Sequence, residues 1–83
     1  ATVLFKSLKD TRKRALAGEY NAANILRRMR TAIRKHSPGK IDYIACVDAH
    51  SLIPLKQLKG RVMVVLAVKF GQTRLIDNII FYI

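Results

Sequence analysis

Val62 to Val68 is an unbroken run of seven apolar residues. It falls far short of the ~20 residues a bilayer-spanning helix needs. Its valine content instead predicts a strand buried on both faces. The pair Gly71-Gln72 then suits a tight hairpin turn, with glycine supplying a positive φ. "TRLIDNIIFYI", residues 73–83, returns as the next strand. That strand carries Arg74, Asp77 and Asn78 where an apolar partner would be simpler. In a strand, Arg74, Ile76 and Asn78 share one face, while Thr73, Leu75 and Asp77 share the other. An unpaired buried polar group costs roughly 1–3 kcal/mol. These groups therefore pair with one another or face something outside the chain.

The preceding half is helical. Leu4, Leu8, Thr11 and Ala15 recur at helical spacing and predict a helix over 2–17 with one narrow inward face, stopped by Gly18. A second helix is predicted over 21–36, with Asn21 as N-cap and an apolar stripe of Ala22, Ile25, Leu26, Met29 and Ile33. "SPG" at 37–39 ends it. "KIDYIACVD", residues 40–48, is strand-like, with Ile41, Tyr43, Ala45 and Val47 on one face. The connection to Val62 leaves room for a single helical turn near Leu55–Leu58. The expected fold is α+β, an antiparallel helix pair packed on a small, mostly antiparallel three-stranded sheet, with residues 1–83 as a single domain.

Charge sets the function classes. Sixteen Lys and Arg stand against five acids in 83 residues. Residues 1–35 hold ten bases and two acids (+8), and residues 36–83 hold six and three (+3). A basic surface attracts nucleic acid, acidic membranes or an acidic partner. Yet the basic helices lack the interleaved aromatics that stack on bases, and Phe5 and Tyr20 stand alone. A solvated basic face is the simpler reading, and a small nucleic-acid-binding module is the alternative. No apolar segment implies a membrane partner. A single cysteine, Cys46, excludes an internal disulfide and is consistent with a reducing cytoplasm.

No catalytic set emerges. His36 falls at a helix end, where it complements the helix dipole, and His50 falls in a loop without a second ligand at zinc spacing. Cys46 lies mid-strand among apolar residues and reads as core. Asp42, Asp48 and Asp77 are too scattered for a carboxylate pair, and the glycines at 18, 39, 60 and 71 sit at element ends rather than in a phosphate loop. The residues alone describe a binding module or a piece of something larger.

"KIDYIACVDAHSLIPL" followed by "GRVMVVLAVKFGQTRLIDNI" resembles the C-terminal domain of the pantothenate synthetase (pantoate–β-alanine ligase) family. Asp42, Tyr43, Val47, Asp48, Leu52, Pro54 and Leu55 match its first block, and Ala67, Gly71 and Thr73 to Asn78 match its second. "GxTRLIDN" is the more specific motif. The chain departs from the pattern at Ala45 or Cys46, where the family usually carries an acid, and at Ala49, where proline is frequent.

The resemblance implies an ATP-dependent, Mg2+-requiring enzyme that joins pantoate to β-alanine through a pantoyl-adenylate. It also implies that the adenylation motifs belong to a Rossmann-like N-terminal domain, absent from these 83 residues. The chain would then be the lid that closes over that domain's nucleotide site, beginning just after the hinge and inactive alone. The expected partners are that N-terminal domain, pantoate, β-alanine and ATP, with no specific nucleic acid. The full-length protein would be a cytoplasmic homodimer and the 83-residue piece a monomer binding no cofactor. Arg74 and Thr73 are candidates for substrate or interdomain contact. Asp42, Tyr43, Pro54, Gly71, Asp77 and Asn78 are candidates for structural motif roles.

Overall fold

The computed structural model describes residues 2–83. Two helices, α1 (Thr2–Leu16) and α2 (Ala22–His36), precede three strands, β1 (Lys40–Asp48), β2 (Arg61–Phe70) and β3 (Thr73–Tyr82). The sheet is entirely antiparallel, in the order β1-β2-β3. Both helices lie on one face, α2 over β1 and α1 over β3.

The helices form where the apolar spacing places them. Leu4, Leu8, Thr11 and Ala15 are buried on α1, and Ala22, Ile25, Met29 and Ile33 on α2. Thr11 tolerates burial because its hydroxyl donates to the Ser7 carbonyl at 2.8 Å. The Asn21 side chain caps α2, its Oδ1 accepting from the Asn24 amide at 3.0 Å. Val62, Val64, Leu66 and Val68 of β2, all fully buried, complete the core beneath the helices.

The connection between β1 and β2 differs from the expected helical turn at 55–58. It runs extended and bridges twice, Pro54 to Val47 and Gln57 to Asn21. The Ala22 amide donates to the Lys56 carbonyl, and the Leu58 amide to the Tyr20 carbonyl. Satisfying the first backbone groups of α2 takes precedence over closing a turn. Leu58 is buried as a result.

The inward face of β1 also differs. Ile44 and Cys46 are buried, whereas Tyr43 is 41% exposed. The pairing slips between Ile41, opposite Val68, and Tyr43, opposite Ala67, so Asp42 is an extra residue. This bulge reverses the alternation. Ile41 packs with the core together with Ile44, while Tyr43 and Ala45 take the side away from the helices.

The β2–β3 hairpin closes through Gly71-Gln72, with Phe70 opposite Thr73 and Gly71 at φ +60. At the same end of the sheet, where the chain enters β1, Gly39 is a space requirement. A Cβ there would collide with the side chains of Val68 and Phe70.

Candidate functional site: the open face of the sheet

The sequence predicts β2 buried on both sides; it is apolar on both, but only one side is covered. Met63 and Val65 point away from the helices and are half-buried. Cross-strand pairing arranges this second face in rows. Tyr43, Ala67 and Ile76 form one, Ala45, Val65 and Asn78 the next, and Val47, Met63 and Ile80 the third. Ile76 is 60% exposed, Ile80 42% and Tyr82 68%. On it Val47 and Ala67 are buried, Ala45, Met63 and Val65 are half-buried, and neither helix lies over it. A contiguous apolar surface with a few polar groups is the usual form of a contact site.

Polar residues stand at one end of it. Arg74 reaches across β2, its Nε donating to Asp42 Oδ2 on β1 at 2.8 Å. Its guanidinium lies 5.8 Å from the Tyr43 ring centroid. The bulge that exposes Tyr43 thus gathers Asp42, Tyr43 and Arg74 at one corner. Both charged side chains are about half exposed (49% each), so the pair is solvated and can be exchanged for another partner. Asn78 is exposed in the middle row.

The remaining candidates lie elsewhere. Thr73 is exposed beside the hairpin turn, and Gly71 forms the turn. Pro54 bridges Val47 at the far end of β1. Asp77 lies on the helix side of β3, half-buried, and its Oδ1 accepts the Asn78 amide at 2.8 Å. Asp48, to which sequence reading assigned no chemistry, accepts the amides of His50 and Ser51, both at 2.9 Å. These two bonds hold its carboxyl below the usual carboxylate range. They order a turn in which Leu52 adopts a positive φ of 63. Burial pushes the Cys46 thiol up to about 11.

Sequence reading missed the open face as a unit. Its signal was the second apolar alternation, Met63 and Val65 with Ile76, Ile80 and Tyr82, combined with only two helices to cover two faces.

The chain matches the family described as pantoate-beta-alanine ligase over residues 1–80. It belongs to that family. Among its relatives, pantothenate synthetase of Acetivibrio thermocellus is 42% identical over 80 residues, which is 96% of this chain and 28% of the relative. That of Desulfitobacterium hafniense is 41% identical over 78 residues, again 28% of its length. The crystal structure of pantothenate synthetase from Thermus thermophilus superposes with a TM-score of 0.82 at 32% identity, covering 93% of this chain and 28% of that one. The chain therefore spans a little over a quarter of the family members it resembles, and corresponds to their C-terminal part. Among the described residues no helix is long and apolar enough to cross a membrane.

Proposed function

We propose that the chain is the closing domain of an ATP-dependent ligase that joins pantoate and β-alanine through a pantoyl-adenylate, and that it closes with its open sheet face. One observation carries this reading: in a chain matching about a quarter of its relatives, the central strand is apolar on both sides and covered on one. The remainder of the full-length enzyme is the natural cover for the second side. Burying Tyr43, Ile76, Ile80 and Tyr82 there would remove water from the space beneath. An acyl-adenylate needs that exclusion, because water competes with the amine for it.

The chain's own part is binding and orientation. Arg74, held across the sheet by Asp42, presents a fork that stays charged and can bind a phosphate or carboxylate at two points. Thr73 lies beside it at the hairpin. Among the described residues no three His, Cys, Asp or Glu side chains gather into a ready-made metal cage, and magnesium held through one or two carboxylates and the nucleotide's own phosphates needs none. On this reading ATP, Mg2+ and the reacting carboxylate are held by the rest of the enzyme. On this reading the enzyme is a cytoplasmic homodimer, and the 83-residue chain alone is monomeric and inactive.

A graft tests the reading. The chain replaces the matching part of the Thermus thermophilus relative, and pantothenate formation is compared with that of the truncated relative. Activity restored by the graft, and lost again with Ile76→Asp plus Ile80→Asp, is the expected result. A graft no better than the truncation would refute it.

A further inference from the structure

A second feature lies on the opposite side of the molecule. α1 and α2 flank an open cleft of about 830 Å³, within the ordinary range for small-ligand sites. Its floor includes Ile25 and Met29. Its walls carry Lys6 and Arg14 from α1 and Arg27, Arg28 and Lys35 from α2. Asp10 is the one acid among them.

Asp10 is engaged by Arg14 at 3.0 Å, and Arg28 pairs with Glu19 at 3.7 Å. Among the described residues, Lys6, Arg27 and Lys35 have no carboxylate within ion-pairing distance. The cleft thus concentrates cations from two helices with little compensating charge. Such a concentration repels itself, and a bound anion relieves the repulsion. Arg27 and Lys35 are eight positions apart on α2, or about 12 Å at the helical rise. The unpaired cations are thus spread along the cleft rather than gathered at one point, an arrangement that suits several linked anionic groups better than a single one.

The geometry points to a binding site for a small molecule carrying linked phosphates in the α1–α2 cleft. The site is separate from the open sheet face, because the helices and that face lie on opposite sides of the strands. A nucleic acid is disfavoured by the absence of aromatic residues from the lining. The shared chemistry is the phosphoanhydride chain, free or attached to a nucleoside.

Calorimetric titration of the 83-residue chain at ~150 mM salt, where exposed charges are well screened, tests the site with pyrophosphate, a short polyphosphate, ATP, sulfate, a Glu-rich peptide and an oligonucleotide. Binding at 1:1 by at least one linked-phosphate ligand, tighter than sulfate, is expected. The order among the three identifies whether the source is free or nucleoside-bound. Lys6→Gln with Arg27→Gln and Lys35→Gln should weaken it by about tenfold or more, as loss of several phosphate contacts does. Lys40→Gln with Lys56→Gln and Lys59→Gln removes the same charge elsewhere and should change it less than about twofold. All six residues are exposed, so both variants should keep the native circular dichroism. Equal losses in the two variants would overturn the site, leaving only diffuse charge attraction. Tighter binding of the peptide or the oligonucleotide, or no saturable binding, would also overturn it.

Discussion

Arg74 on β3 and Asp42 on β1 meet across the middle strand, Nε to Oδ2 at 2.8 Å. Arg74 pairs with Lys69 of β2 in the register, and its side chain passes over that strand to reach the bulged residue of β1. The bulge at Asp42 supplies the other half of the arrangement. The pair is half exposed, so its removal should be mild: Asp42→Asn or Arg74→Ala should change unfolding free energy by about 1 kcal/mol or less in urea titrations. In the grafted enzyme, Arg74→Ala should lower turnover by about tenfold if one contact worth ~1.4 kcal/mol is lost in the closed state. Arg74→Ala that unfolds the chain would make the pair structural.

Asp77 belongs to the same motif but has different surroundings. Its carboxylate bonds the adjacent Asn78 amide at 2.8 Å and is half-buried. Asp77→Ala should cost about 1 kcal/mol, as loss of one local hydrogen bond does. Ile33→Ala, at a fully buried position, should cost about 2–5 kcal/mol. Chemical denaturation of the two variants side by side checks the ordering.

The Gly71 turn makes a backbone prediction. A Cβ at Gly71 meets no atom within 4 Å, so its φ of +60 is the only obstacle. Gly71→Ala should therefore cost about 1–2 kcal/mol. Gly39→Ala should cost more, because it adds a collision with Val68 and Phe70 to a packed edge. Melting temperatures separate the two.

Cys46 should be inert to thiol reagents in the folded chain and react on unfolding. Its thiol ionises near 11 when folded, against 9.0 for the free group. Keeping the proton favours the fold, so this contribution is complete below pH 9.0 and is lost as the pH rises toward 11. Cys46→Ala should flatten the decline in stability over that interval. An unchanged slope would show that other groups govern it.

The elements were legible because each has one dominant local cause. Leu4, Leu8 and Ala15 repeat at helical spacing, Asn21 can cap only by starting a helix, and Gly71 permits the turn that pairs Phe70 with Thr73. What was not legible depends on long-range contacts. The bulge at Asp42 follows from pairing with β2, and one inserted residue moves Tyr43 from the inward face to the open one. The path of 55–58 is set by the start of α2, some thirty-five positions earlier. The open face was half legible. The apolar β2 run announced two buried sides, but only the assembled layers reveal that the chain covers one. "TRLIDN" showed polar residues on both faces of a strand, and it could not reveal that Arg74 finds its partner two strands away.

The most direct test is the accessibility of the open face itself. Cys46 is buried, so Ile80→Cys, at a position 42% exposed, gives a single reactive thiol on that face. Its labelling rate is measured in the grafted enzyme with and without ATP and pantoate, and in the 83-residue chain. Closure of the face over the nucleotide site predicts labelling at least about tenfold slower with both substrates present. Labelling as fast as in the isolated chain, with or without substrates, would contradict it.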